Sequence, residues 1–165
     1  MTTTVEHLNR RLLISLPDAY EQARARYETL VPAADLAAYG DVANWADMVD
    51  KVKAQAPHGF LRYATIDVAP TMVISNSGRP ATEYLMGNHT IAERMYRHDT
   101  AVMLHAPLRT LIYAGVDGTV LAVDQPSLLF GSYGSPEIAA VGVELDGLLA
   151  TLIELLDGEV PAALR

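Results

Sequence analysis

The segment PLRTLIYAGVDGTVLAVD, residues 107–124, decides the fold. Two runs rich in apolar and β-branched residues flank Asp117 and Gly118 in this segment. An Asp-Gly pair accepts the positive φ that a tight hairpin turn requires. The sequence therefore predicts two antiparallel strands, residues 107–113 and 119–124, joined through this turn.

Periodicity predicts the other elements. Alternating apolar residues predict strands at residues 8–16, 59–68, 72–74 and 128–130, and the segment before Asn88 is also strand-like. Apolar residues spaced three and four apart predict helices at residues 17–30, 45–55, 91–97 and 135–157. Asp18 and Glu21 are typical of a helix start, and Ser135 is the expected N-cap of the last helix.

The spacing of the strands predicts their direction. The strands after residue 68 lie too close together in the sequence for parallel crossovers, which need about a dozen residues each. We therefore expect a mainly antiparallel, curved sheet with helices packed on one face, ending in a long C-terminal helix. This α+β arrangement is expected to form a single domain over residues 1–165.

Composition excludes several classes of function. The net charge is −8, which argues against nucleic acid because phosphate binding needs a basic surface. The chain has no cysteine, which excludes thiolate metal sites, thiol catalysis and disulfides. Neither a signal peptide nor a stretch of about 18 apolar residues is present, so we expect a cytoplasmic protein without membrane contact.

Four short segments carry a family resemblance. They are GFLRYATID at residues 59–67, YLMGN at 84–88, APLRTLIY at 106–113 and DQPSLLFG at 124–131, together with the Asp-Gly hairpin. From Gly59 to about Ile153 the chain resembles a bacterial family known as domain of unknown function number three hundred and two. The resemblance implies an antiparallel sheet covered by helices, related in shape to half of the TATA-binding protein, with the order strand, helix, four strands, helix.

The resemblance has two further implications. Residues 32–57 are expected to be a helical insertion into this fold. Family members commonly carry proline after the Gly-Asn pair of the second segment, whereas this chain has His89. No catalytic set comes with the resemblance, so it implies a fold and no reaction.

Histidines are the candidates for a metal or haem site. His89, Glu93 and His98 would approach one another if His89 begins a helix, and imidazole with carboxylate can bind a divalent metal. Alternatively, Thr90 and Glu93 form a capping box that occupies the carboxylate. Haem is a second alternative, with axial ligands drawn from a set of histidines and methionines. That set is His89, His98 and His105 with Met86, Met95 and Met103.

An organic-ligand pocket between sheet and helices is the favoured interpretation. The polar residues expected to line it are Tyr84, Asn88, His89, His98, Arg109 and Tyr113. His98 and Arg109 are predicted to share one cleft and to hold an anionic or carbonyl-bearing ligand, unless Arg109 pairs with Asp99 or Asp124. A serine nucleophile at Ser127 is disfavoured because no G-x-S-x-G turn surrounds it.

Two classes of function therefore stay open from the sequence. The first is a small-molecule-binding domain without cofactor, and the alternative is a haem- or metal-dependent enzyme that uses His98 and neighbouring carboxylates. A homo-oligomer is expected in either case, through a sheet edge or through the apolar run at residues 128–130.

Overall fold

The antiparallel sheet that the hairpin predicts is the central element of the structure. The computed structural model describes residues 1–76 and 78–165. It contains a five-stranded antiparallel sheet with the order β1-β5-β4-β3-β2. The strands are β1 (Arg11–Leu16), β2 (Leu61–Asp67), β3 (Ala81–Gly87), β4 (Leu108–Ala114) and β5 (Thr119–Asp124). The α+β prediction and its antiparallel sheet are confirmed.

Six α-helices accompany the sheet in the part of the chain that the structure describes. They are α1 (Tyr20–Leu30), α2 (Trp45–Gln55), α3 (Ala69–Met72), α4 (His89–Tyr96), α5 (Pro126–Gly131) and α6 (Pro136–Leu155). The element order contains the expected strand, helix, four strands and helix, with the four helices α2 to α5 added. The likeness to the TATA-binding protein stays a prediction. Among the described residues, no helix combines the length and the apolar character needed to cross a membrane.

The central hairpin forms as predicted. β4 and β5 pair antiparallel, with Ala114 opposite Thr119. Gly118 adopts φ of 137°, and its carbonyl accepts the Gly115 N–H at 2.7 Å. The positive φ explains why glycine follows aspartate here.

The core lies between one face of the sheet and helices α1 and α6. On β1 the side chains of Leu12, Ile14 and Leu16 are buried, as their alternation predicts. Ser135 caps α6 by accepting the Ile138 N–H, which is also as predicted. The burial of this apolar surface is the main stabilising contribution to the fold.

Hydroxyl groups fix the position of α1 on the sheet. The Tyr27 hydroxyl hydrogen-bonds Thr110 Oγ1 at 2.8 Å, and both residues are buried. The Tyr20 hydroxyl bonds Thr82 Oγ1 at 2.6 Å on the neighbouring strand. Because hydrogen bonds are directional, they select one placement of the helix from those that the apolar contacts alone would allow.

Three local predictions are wrong. Residues 72–74 are not a strand but the end of α3 followed by a 3-10 turn. Residues 128–130 are not a strand because Pro126 begins α5, which packs on α6 where Gly142 permits close approach. A Cβ at Gly142 would lie 3.1 Å from the Cα of Ser127. The N-terminus of α1 also differs, since its N-cap is Ala19 without a side-chain bond.

A β-bulge reverses the alternation of β2. The register shifts between Arg62 and Ala64. Residues before and after the shift that simple alternation would place on one face therefore lie on opposite sides of the sheet. Phe60 is buried in the main core, whereas Ala64 and Ile66 lie opposite Leu85 and Glu83. The predicted single apolar face of residues 60–68 is therefore wrong.

Within residues 1–76 and 78–165, no helix covers most of the second face of the sheet. We call it the open face and define it by the outward side chains of the five strands. They are Arg11, Leu13, Ser15, Ala64, Ile66, Ala81, Glu83, Leu85, Arg109, Leu111, Tyr113, Val120, Ala122 and Asp124. Helix α2 covers only the corner beyond this set, where Leu61 is buried against Val52 and Ala56.

Candidate functional site

A cleft of about 170 Å³ lies where β3 ends and β4 begins. It is bounded by α4, by the 3-10 turn at residues 100–104 and by one residue of α6, Leu145. Most of its lining is apolar. Its principal apolar residues are Phe60, Ile91, Met95, Met103, Phe130 and Leu145.

Asn88 begins the polar end of this cleft. Its Oδ1 accepts the N–H groups of Thr90 at 3.0 Å and Ile91 at 3.3 Å, so Asn88 is the N-cap of α4. Its Nδ2 donates to the Gly59 carbonyl at 3.0 Å, which ties the helix start to the entry of β2. The alternative of a capping box at Thr90 is wrong, because Asn88, two residues earlier, is the N-cap and satisfies these donors.

His89 is the first residue of α4 and bonds to Tyr63. The Tyr63 hydroxyl oxygen accepts the backbone N–H of His89 at 3.0 Å and lies 2.7 Å from its Nδ1. We infer that the hydroxyl donates its own proton to Nδ1, because its oxygen already accepts one proton and Nδ1 is the acceptor within reach. This assigns the His89 proton to Nε2, which faces the Met48 sulfur at 3.4 Å.

Burial keeps this histidine neutral. The imidazole lies between the rings of Tyr39, at 4.8 Å between centroids, and Tyr63, at 6.2 Å. Removal from water lowers the pKa of His89 below its usual 6.5. The same burial raises the pKa of Tyr63 to about 12. At neutral pH the pair is therefore uncharged, and it can donate or accept hydrogen bonds without a net charge.

The structure does not bring His98 and Arg109 together. Arg109 lies on the open face, 73% exposed, with its Nε 3.5 Å from Glu83 Oε1. His98 follows α4 on the helical side of the sheet and is exposed. The predicted shared cleft is wrong, because β4 buries Leu108 and Thr110 and so turns Arg109 to the opposite side. Arg109 pairs with Glu83, and not with Asp99 or Asp124, the alternative partners expected from the sequence.

The two predicted tyrosines also lie away from the cleft. Tyr84 is fully buried, and its hydroxyl donates to Glu28 Oε1 at 2.9 Å. Burial of Glu28 opposes its ionisation, but hydrogen bonds from Arg24 and Tyr84 outweigh that effect and lower its pKa. Tyr113 belongs to the open face and lines its grooves. Of the six predicted residues, only Asn88 and His89 line the cleft.

The alternative metal set does not assemble. Glu93 accepts the Arg97 Nε at 3.1 Å, and both ring nitrogens of His89 have protein partners. Within residues 1–76 and 78–165, no group of three or more histidine, aspartate or glutamate side chains is placed to hold a metal ion. A haem also fails to fit this cleft, since a cavity of about 150 Å³ holds one benzene ring and the macrocycle contains four pyrrole rings.

Tyr63 was not identified from the sequence, although its hydroxyl bonds His89 at the polar end of the cleft. The bulge at Arg62 and Ala64 places Tyr63 beside His89, and the plain alternation of residues 59–68 carries no sign of a bulge. Met95 and Met103 were considered only as possible haem ligands, yet both line the cleft. Met103 is 47% exposed, which places it at the mouth.

Comparison with known proteins agrees with the fold. A family model described as "Domain of unknown function DUF302" matches residues 40–156, a region that includes α2. A crystal structure of an uncharacterized conserved DUF302 protein from Bacillus stearothermophilus is similar, with a TM-score of 0.65 and 14% identity over 88% of this chain and 97% of that chain. No curated protein matches. Because the family model covers well over half of its length, the chain belongs to the DUF302 family.

Proposed function

We propose that the protein binds a small, neutral organic molecule in the cleft between α4 and the end of β3. The observation that supports this proposal is the cleft itself, about 170 Å³ with an apolar lining and polar side chains at one end. A dry apolar cavity of about 150 Å³ is large enough for a benzene-sized molecule. Binding sites commonly combine an apolar wall with a few polar groups that orient the ligand.

The lining favours a neutral ligand over the anionic one expected from the sequence. Among the described residues that line the cleft, none is an arginine, lysine, aspartate or glutamate. His89 is kept neutral by burial, so it supplies no positive charge at pH 7. A buried charge without a partner is costly, and a carboxylate ligand would have none here.

One hydrogen bond is available to such a ligand. The His89 Nε2 proton faces the sulfur of Met48, which is a weak acceptor. A carbonyl or hydroxyl oxygen that approaches Nε2 is a stronger acceptor and replaces this contact. The proposed ligand is thus a small ring or short chain with one oxygen, whose apolar part lies against Met95 and Met103.

The experiment uses the methionine methyl groups as reporters. Protein labelled with ¹³C at the methionine methyls is titrated with phenol, cyclohexanone and benzoate, and the signals are assigned through Met95→Leu and Met103→Leu. We expect saturable shifts of the Met95 and Met103 methyls with phenol or cyclohexanone and weaker binding of benzoate. The absence of saturable shifts with all three probes would refute the proposal, and tighter binding of benzoate would refute a neutral ligand.

A matched pair of variants locates the binding. Ala92 lines the cleft, whereas Ala25 is an exposed alanine on α1. Ala92→Leu adds three carbon atoms inside the cleft and should weaken phenol binding at least tenfold. Ala25→Leu adds the same atoms elsewhere and should leave binding unchanged. Equal affinities in the two variants would place the bound phenol outside this cleft.

A further inference from the structure

The open face is more apolar than a solvated sheet face. An antiparallel sheet with one face in water normally presents polar side chains on that side. Here β1, β5 and β4 carry a continuous apolar row in the middle of the open face, because Leu13 and Leu111 both lie opposite Ala122. Leu13 is 60% exposed, and Ile66, which is 47% exposed on the far strand, is separated from this row by Glu83. A contiguous apolar surface of this kind marks an interaction site.

Charges of both signs lie beside this row. The Nε of Arg11 lies 3.5 Å from Asp124 Oδ1, and Arg109 pairs with Glu83 at the same distance. Both arginine side chains stay more than 70% exposed, so their remaining N–H groups are free to donate. A surface that carries both signs next to an apolar centre can complement a copy of itself, since each arginine can reach an acidic residue of the other copy.

The area is sufficient for a specific contact. Five strands about 4.8 Å apart and about six residues long span roughly 24 by 20 Å, or roughly 500 Å² per copy. Two such faces bury about 1,000 Å² in total, the lower limit for a specific interface. The corrugation of the side chains increases this area. Helix α2 lies over Leu61, outside the residues that define the open face.

We propose that the open face binds the open face of a second copy, which forms a two-fold symmetric dimer with the two sheets packed face to face. In this arrangement the apolar rows are removed from water at a sheet separation of about 10 Å. The helical layers lie on the outside of the dimer. The proposal is independent of the cleft at α4, which lies on the other side of the sheet.

Pairing through a sheet edge is the competing arrangement. The Gln125 N–H bonds the Arg10 carbonyl, so by alternation the backbone groups of Leu13 and Ser15 point away from β5 at a free edge. At the opposite edge the Arg62 N–H bonds the Pro32 carbonyl, and the Arg62 carbonyl accepts the Ala34 N–H. In the run at residues 128–130, which was the other expected contact, Phe130 is fully buried, whereas Leu128 and Leu129 are partly exposed.

The test measures mass in solution and places one charge at the centre of the face. By sedimentation velocity we expect the wild-type protein to be a dimer at micromolar concentration. Leu111→Lys retains the monomer fold because Glu83 lies directly opposite it on β3. In the dimer it brings like charges together at the centre, so the dissociation constant should rise at least tenfold. Val143→Lys, at a 64% exposed position on α6, makes the same kind of change outside the interface and should stay dimeric.

Two further variants separate the outcomes. Leu13→Lys should also give a monomer, and urea unfolding of each variant verifies that the fold is retained. Ser15→Pro removes an outward N–H and blocks edge pairing, so it should leave the dimer intact. A wild-type monomer at 100 µM would overturn the proposal. If Ser15→Pro were a monomer while Leu111→Lys stayed dimeric, the proposed face-to-face dimer would be overturned and pairing through the sheet edge would be supported.

Discussion

Replacing Tyr63 by phenylalanine removes a single oxygen from the polar end of the cleft. That oxygen accepts the backbone N–H of His89 at 3.0 Å and lies 2.7 Å from Nδ1, to which we assign its proton. One intramolecular hydrogen bond contributes about 1 kcal/mol, and a buried donor left without a partner costs about 1 to 3 kcal/mol. Because the site opens to a cleft that water can enter, we expect Tyr63→Phe to lower the free energy of unfolding by about 1 to 3 kcal/mol.

The same substitution changes the pKa of His89 in a predictable direction. The hydroxyl donates to Nδ1 of the neutral ring, so it stabilises the neutral form, and its removal should raise the pKa from its lowered value towards 6.5. Urea unfolding measures the first effect, and NMR titration of the histidine Cε1–H signals measures the second. Tyr96→Phe, at an exposed tyrosine, is the control and should change neither quantity.

One result would refute the assignment of the proton. If Nδ1 carried the proton and the hydroxyl accepted it, the charged ring would be the form that Tyr63 stabilises. Tyr63→Phe would then lower the pKa of His89 further. A pKa that falls in the variant would therefore contradict the Nε2–H tautomer and the ligand hydrogen bond proposed from it.

Two other predictions concern the same region. Asn88→Ala should lower the free energy of unfolding, measured in urea, by about 1 to 2 kcal/mol, because α4 loses its N-cap. Asn88→Asp keeps the acceptor and should lower it less. Equal losses in the two variants would contradict the capping role. Burial is the main cause that lowers the pKa values of His89 and His105 from 6.5. The folded state therefore favours the neutral rings, and their contribution to stability is fully present above pH 6.5. It is lost as the pH falls from 6.5 towards the lowered pKa values of the folded protein. Unfolding at pH 7.5 and 5.5 should show this loss, and His89→Gln should reduce it, whereas substitution of the exposed His98 by glutamine should not.

Elements with strong local signals could be predicted from the sequence. The hairpin depends on Gly118, whose positive φ the Asp-Gly pair indicates. The last helix has a serine N-cap and an apolar stripe, and both features are local. Short apolar runs carried no such signal. Residues 128–130 form part of a helix because Pro126 begins it and α6 packs on it, and only the folded structure supplies that packing.

The candidate site could be predicted only in part. Asn88 and His89 were identified because they stand at a strand-to-helix junction, where the structure also places them. Arg109 and His98 were grouped by chemistry alone, without knowledge of the side of the sheet on which each lies. Tyr63 was missed because a single bulged residue reverses the alternation, and a bulge depends on pairing with β3 rather than on the sequence of β2 itself.

The position of β1 has a consequence for the growing chain on the ribosome. Arg11 pairs with Asp124, so β1 meets its partner strand only after all the residues between them have been synthesised. At about 5 to 20 residues per second, the ribosome needs roughly 6 to 20 s to add the intervening residues. During that interval Leu12, Ile14 and Leu16 have no neighbouring strand, whereas β4 and β5 are close in the sequence and can pair as soon as both are made. The N-terminal strand therefore completes the sheet last, and a nascent chain that stalls before β5 leaves these apolar side chains exposed to other chains.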